Sequence, residues 1–386
     1  MNFGELGLNE AILKSLSENN ISTPSEIQEK VIPFILSNSK NLIAISQTGS
    51  GKTAAFGLPI LQQIEPQLQQ TQVLVIVPTR ELSQQVAKDL FVFSRYIVRI
   101  HTEAIIGGKK IEEQLKKIEI PRHIIVATPG RLIDLLERKA LDLSYLKFLV
   151  LDEADEMLNM GFKADIDKIV KACKPNVRKF LFTSTLPAEL KQTVSKYMGK
   201  ATEEIQIKPQ EFVNRSIQHQ YIAFKYGFKF EYFKAYLDSH PTERGIIFCR
   251  TQAAAKLLGQ QLKGISLNAG ALYGNLDQFE RTKIMSAFKA NRIQYLIATD
   301  VAARGIDVQD LNFVIHYHLP ENETQFVNRS GRTGRAGNTG KSICMLQSDQ
   351  VSNKDIFEKA LQIKFTALNI NPTVYPRLLF HQKKER

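Results

Sequence analysis

The sequence predicts an α/β protein with two parallel-sheet domains, on three observations. Short apolar runs recur at 42–45, 73–77, 124–127, 148–151 and 180–182 with helical stretches between them, the alternation expected of βαβ units. Polar clusters follow these runs: Pro78-Thr79-Arg80-Glu81, Thr128-Pro129-Gly130-Arg131, Asp152-Glu153-Ala154-Asp155 and Thr183-Ser184-Thr185. Ligands of a parallel sheet gather there, outside the carboxyl ends of the strands. The alternation restarts in the second half, with strand candidates at 245–249, 295–298, 313–317 and 342–346 and helices over 253–262 and 278–288.

In chain order, 5–19 carries Leu6, Leu8, Ile12, Leu13 and Leu16 at helical spacing, and a second helix is expected over 26–36 after Thr23-Pro24. Gln28 lies on it; its amide donates and accepts at once, which suits an adenine edge as well as it suits solvent. The run 42–45 then stops at SQTGSGKT, 46–53. Glycines at 49 and 51 let backbone N–H groups face a polyphosphate, Lys52 reaches its terminal groups and the Thr53 hydroxyl suits Mg²⁺. Thr48, Gly49, Ser50, Gly51, Lys52 and Thr53 are therefore the candidate nucleotide loop, although Ser46 stands where G-x-x-x-x-G-K-[ST] has its first glycine. Asp152 ends the run 148–151, the place for a carboxylate that holds Mg²⁺ opposite Thr53. Glu153 is then the candidate general base for a water in line with the γ-phosphate. Adjacent carboxylates would equally suit a helix N-terminus.

Composition sets the outer limits. At 43% hydrophobic and 23% charged the chain has an ordinary globular balance, and no apolar run approaches the ~20 residues of a membrane span. The N-terminus MNFGELGLNE lacks a basic or hydrophobic leader pattern, so a cytoplasmic protein without a membrane partner is expected. Cys173, Cys249 and Cys344 show neither metal-ligand spacing nor a disulfide framework and read as structural thiols of a reducing compartment. The net charge of +12 is uneven: 26 basic against 24 acidic residues over 1–207, and 25 against 15 over 208–386. Nucleic-acid phosphate is one counter-charge for that excess; a solvated basic surface is another.

The stretch 208–214, with Pro209 and no apolar periodicity, is a predicted linker between domains at 1–207 and 215–375, and 376–386 forms a short basic tail. The second domain has no GKT loop. Its arginine-glycine stretch, Asn328-Arg329-Ser330-Gly331-Arg332-Thr333-Gly334-Arg335, could present guanidinium groups to a nucleotide or to RNA phosphates. His316 and His318 lie two apart, but no third metal ligand is evident.

Together these motifs resemble the DEAD-box family of ATP-dependent RNA helicases. SQTGSGKT (46–53), PTRELSQQ (78–85), Gly107-Gly108, TPGR (128–131), DEAD (152–155), ARGIDV (303–308) and RSGRTGRAG (329–337) occur in that family's order, and the match extends from Phe3 to Arg335. The resemblance implies two RecA-like domains closing on ATP and Mg²⁺. Catalytic roles would fall to Lys52, Asp152, Glu153, Arg332 and Arg335, with Arg335 an arginine finger, and Asp307 would lie near the ribose. Phe3 and Ile21 stand at the family's base-contacting positions with Gln28, Ile21 replacing the usual aromatic ring. RNA backbone contacts would come from Thr79, Arg80, Gly108, Thr128, Arg131, Arg250 and Thr299, with little base preference. Asp155, Thr183, Thr185, Asn328 and Arg329 would couple the domains. Thr183-Ser184-Thr185 replaces the family's Ser-Ala-Thr, Asn328 replaces a histidine, and Tyr273 replaces a frequent histidine, so hydrolysis is expected to outlast any loss of unwinding. A monomer that locally unwinds RNA or remodels RNA–protein complexes is expected. The alternatives are an ATP-dependent RNA clamp or annealer and a DNA-translocating motor.

Overall fold

The structure is a computed structural model, described for residues 1–46, 49–108, 110–186, 188–199, 201–207, 215–274, 276–303, 311–334 and 338–372. The expected linker, the basic tail, Thr48, Asp307 and Arg335 lie outside the described residues. The chain forms two compact units, each around one seven-stranded sheet.

The first sheet comprises β1 (Asn41–Ile45), β2 (Val73–Ile76), β3 (Thr102–Ile105), β4 (Ile124–Ala127), β5 (Phe148–Asp152), β6 (Arg178–Thr183) and β7 (Thr202–Gln206). Its order is β3-β4-β2-β5-β6-β1-β7, and every pairing is parallel. The period of two divides the central strands between two cores. Leu42, Ala44, Val73, Val75, Val126, Val150 and Phe180 face one, with helices Glu26–Ser37, Lys52–Leu61 and Arg80–Phe93. Leu74, Ile76, Ile125, Leu149, Leu151 and Leu181 face the other, with helices Pro129–Glu137, Lys163–Ala172 and Ala188–Met198. Burial on both faces is why these strands read as continuous apolar runs.

That layering also locates the site. The connection leaving β1 crosses the first face while the connection leaving its neighbour β6 crosses the second, so a crevice opens at their carboxyl ends.

The second sheet comprises β8 (Ile217–Phe224), β9 (Gly245–Cys249), β10 (Ala269–Leu272), β11 (Tyr295–Thr299), β12 (Phe313–His316), β13 (Gly340–Gln347) and β14 (Thr366–Ala367). It is parallel throughout in the order β10-β11-β9-β12-β13-β8-β14.

Strands missing from the sequence analysis lie at or near sheet margins. β3, β7 and β10 each pair on one side only and are partly exposed, so polar residues such as Glu103, Glu203 and Glu204 interrupt their apolar pattern. The apolar periodicity over 5–19 does not make one helix: a 3₁₀ turn at Phe3–Leu6 ends at Gly7, and the α-helix is Glu10–Glu18. β12 ends at His316, so His318 is not on the strand with it. Among the described residues, no helix is long and apolar enough to cross a membrane.

Candidate active site

In the first domain, β1 runs into the loop that precedes helix Lys52–Leu61. Gly51 adopts φ +87°, and a Cβ there would lie 2.2 Å from Gln28 Nε2. The close approach exists because Gln28 is part of the loop's support. Its Nε2 donates to the Gly51 carbonyl at 3.0 Å while its Oε1 accepts from the Ser25 N–H at 2.9 Å. Ser25 Oγ in turn donates to the Ser50 carbonyl at 2.7 Å. The Ser25–Gln28 pair is a capping box at the start of Glu26–Ser37. Gln28 therefore positions the candidate nucleotide loop through its backbone, a role the isolated amide did not disclose. Ser25 went unmentioned in the sequence reading, though S-x-x-Q is the pattern that signals it.

Ser46, the departure from the glycine pattern, is accommodated. Its N–H continues the β1–β6 ladder to the Thr183 carbonyl at 3.0 Å, and its hydroxyl lies 3.0 Å from that of Ser50. Lys52 is 6% exposed, with Nζ donating to the Ser46 carbonyl at 3.1 Å. Thr53 is the second residue of the same helix.

At the end of β5, Asp152 is buried, and burial raises its pKa against the opposing pull of Lys52 and of the Glu153 N–H. That N–H donates to Asp152 Oδ1 at 3.0 Å. Glu153 is buried and holds φ +53°, a left-handed conformation uncommon outside glycine, as the N-cap of Ala154–Asn159. Asp155 is anchored to the end of β6. Its Oδ2 accepts from Ser184 Oγ at 2.5 Å, Thr185 N–H at 3.0 Å and Thr185 Oγ1 at 3.0 Å. Thr183 Oγ1 donates instead to the Thr185 carbonyl at 2.7 Å. Of the expected coupling pair, only Thr185 meets Asp155; Ser184, which the sequence reading did not single out, supplies the other hydroxyl.

Phe3 is 4% exposed and packs in the first core. With Ile21 it lines a concavity of about 400 Å³ that also includes Asn2, Leu13 and Asn20, and none of the loop residues 49–53 is in that lining.

The candidate RNA residues of this domain gather on the other half of the same sheet edge, after β2, β3 and β4. Thr79 caps Arg80–Phe93 by accepting from the Leu82 N–H at 3.3 Å. Arg80 lies against the turn after β3: a Cβ on Gly108, at φ +79°, would come within 2.1 Å of its Nη1. Thr128 is the N-cap of Pro129–Glu137 and makes no cap bond with its side chain. Arg131, in that helix's first turn, pairs with Asp134 at 3.5 Å. Two helix N-termini and two guanidinium groups thus border β2, β3 and β4, while the nucleotide loop and the DEAD carboxylates border β1, β5 and β6.

In the second domain, Arg250 follows β9 and Thr299 ends β11, its neighbour. Arg329, an expected coupling residue, is 3% exposed and hydrogen-bonded to residues of its own domain. Its Nε and Nη2 donate to the two carboxylate oxygens of Asp300 at 2.6 and 2.7 Å, and its Nη1 to the His318 carbonyl at 2.7 Å. Asn328 precedes it on helix Glu323–Ser330, and Arg332 is buried just beyond. His316 is buried on the hydroxyls of Ser342 and Ser330, at 3.0 and 3.3 Å.

Comparison with known proteins identifies the family. The DEAD/DEAH box helicase model matches residues 25–193 and the helicase conserved C-terminal domain model matches 228–337. The chain belongs to the DEAD-box family of ATP-dependent RNA helicases. It is 39% identical over 368 residues to a probable ATP-dependent RNA helicase of Methanocaldococcus jannaschii, covering 95% of this chain and 98% of that one. It is also 39% identical over 332 residues to the ATP-dependent RNA helicase DbpA of Bacillus subtilis, covering 86% of this chain and 69% of the relative. Among solved structures, Saccharomyces cerevisiae Dbp5 bound to RNA and ADP BeF3 matches with a TM-score of 0.84 at 30% identity, over 95% of each chain. The two parallel α/β domains of this DEAD-box chain are thus RecA-like, as in those structures.

Proposed function

We propose that this chain hydrolyses ATP with Mg²⁺ in its first domain and uses the cycle to separate short RNA duplexes or remodel RNA–protein complexes. The observation that carries this is the divided sheet edge: phosphate loop and DEAD carboxylates after β1, β5 and β6, and phosphate-suited backbone after β2, β3 and β4. One rigid sheet would hold nucleotide and RNA side by side. The Dbp5 structure with RNA and ADP BeF3 supports the pairing of ligands.

The residues present fit a divalent cation. Asp152 is a buried carboxylate whose charged form is disfavoured by its own burial, and it stands near Lys52, one residue before Thr53. Thr53 and Asp152 would hold Mg²⁺, which would neutralise charge on the β- and γ-phosphates. Lys52 binds the phosphates, Gln28 and Ser25 hold the loop that surrounds them, and Glu153 accepts the proton of the attacking water. Thr48, Gly49, Ser50 and Gly51 supply the cradle, Ile21 covers the base and Asp307 meets the ribose. Arg332 and Arg335 act from the second domain when the two domains close, stabilising charge that develops on the transferred phosphoryl group. Thr79, Arg80, Gly108, Thr128, Arg131, Arg250 and Thr299 hold the RNA backbone. Asp155, Ser184 and Thr185 transmit closure between the two ligands, and Asn328 belongs to the same coupling. A cytoplasmic monomer belongs to this reading.

A second reading, an RNA clamp or annealer with little unwinding, is favoured by Thr183, whose hydroxyl bonds Thr185 rather than Asp155. Steady-state ATPase with matched RNA and DNA oligonucleotides, followed by a strand-displacement assay, tests both. Stimulation by RNA and not DNA is expected, because the 2′-hydroxyl distinguishes them. Equal stimulation by DNA would reject the RNA assignment, and RNA stimulation without displacement would favour the clamp.

A further inference from the structure

We propose that Lys229, beside Arg250 at the carboxyl ends of β8, β9 and β12, completes an anion site in the second domain that takes a phosphodiester of single-stranded RNA. The inference rests on the RNA reading above and extends it to a residue outside every motif recognised in the sequence.

Lys229 opens the helix Lys229–Ser239, with its ammonium 4.3 Å from the ring centre of Tyr317 and 5.4 Å from that of Phe224. Among the described residues it has neither an ion pair nor a hydrogen bond; aromatic faces are its partners. Cation–π attraction offsets only part of the cost of half-burying an ammonium. Arg250 acts on it as a like charge. Arg250 and Arg329 both act, with Lys229, on His318, which burial and these three charges push down to about 4. The nearby carboxylate Asp300 is already held at both oxygens by Arg329. Glu231, on the same helix, acts on the Tyr317 hydroxyl, and neither it nor Asp300 pairs with Lys229. Arg250 is exposed, its Nη2 reaching only the Leu319 carbonyl at 3.4 Å. Among the described residues, this ammonium and this guanidinium have no carboxylate partner, and the place they share suits an anion.

The position selects its class. Arg250 follows β9, Thr299 ends the adjacent β11, and Lys229 lies beyond them over the ends of β12 and β8, so the three continue one line across the sheet edge. A polymer with phosphates at regular spacing uses such a line; a single free phosphate does not.

Burial also pushes the Lys229 ammonium down to about 8, with Arg250 adding to the effect and Cys249 opposing it. A phosphodiester would favour the charged form and raise it again. RNA affinity should therefore fall as pH rises through about 8. Cys249, pushed up to about 12 by burial, and His318, down at about 4, do not titrate across that window.

The test is anisotropy titration of a labelled single-stranded oligouridylate with the full chain and a non-hydrolysable ATP analogue, against salt and between about pH 7 and pH 9.5. Lys229→Met should weaken RNA binding roughly fivefold or more, lower the salt slope by about 0.7 and abolish the fall above pH 8. Lys229→Arg should keep the affinity and lose the pH dependence. Should Lys229→Met fail to fold, a flat wild-type pH profile would overturn the site on its own. A Lys229→Met protein with wild-type salt slope and pH profile would overturn it too, as would lost ATP affinity with RNA binding intact. Wild-type protein that binds no RNA would remove this inference together with the RNA reading; RNA-stimulated ATPase with an unaffected Lys229→Met removes this inference alone.

Discussion

Gly51→Ala tests how Gln28 and the phosphate loop depend on each other. The new Cβ would require φ +87° of an alanine and would lie 2.2 Å from Gln28 Nε2. The left-handed backbone costs roughly 1–2 kcal/mol. Displacing Gln28 also removes its bonds to the Gly51 carbonyl and the Ser25 N–H, about 0.5–1.5 kcal/mol each. The variant should lose roughly 2–5 kcal/mol in the first domain's unfolding, a melting shift of roughly 4–20 °C. Gln28→Ala alone removes the same two bonds without backbone strain and should cost about 1–3 kcal/mol. The double variant should therefore cost little more than Gly51→Ala, giving a coupling of about 1–3 kcal/mol. Calorimetric unfolding of the full chain and its three variants, with ATP affinity alongside, measures the cycle. Additivity within about 0.5 kcal/mol would show that Gln28 does not support the loop.

Three further outcomes follow from the site. Glu153→Gln should reduce kcat by about 10²-fold or more with ATP binding retained, and near-normal turnover in a steady-state assay would reject Glu153 as the base. Asp152→Asn should abolish hydrolysis yet raise the melting temperature of the nucleotide-free protein at neutral pH. Burial raises the folded pKa of Asp152, so its ionised form is a liability above the ordinary carboxylate range, and the gain should shrink as pH falls and wild-type Asp152 protonates; a lower melting temperature at neutral pH would refute this. Arg335→Ala should lose RNA-stimulated hydrolysis, by roughly 10³-fold or more, with RNA-free ATP affinity nearly unchanged. Recovery of turnover at saturating RNA would instead mark Arg335 as an RNA-phosphate contact.

The sequence by itself determined the layered α/β plan, because central strands buried on both faces must be apolar at every position and leave an unmistakable run. It also carried the candidate chemistry at the strand ends, since Gly49, Gly51 and Lys52 are neighbours in the chain and so are Asp152 and Glu153. Tertiary structure decided which of these groups meet. Strand order separates β1, β5 and β6 from β2, β3 and β4, and nothing local encodes that order. Gln28 and Gly51 are 23 residues apart and Ser184 and Asp155 are 29 apart, so their hydrogen bonds exist only once the sheet aligns them. Burial likewise places Phe3 in the first core and Arg329 on both carboxylate oxygens of Asp300, which the sequence did not indicate. Lys229 left no mark in the sequence because a lysine becomes informative only when its partners among the described residues prove to be the rings of Tyr317 and Phe224, an arrangement created by packing.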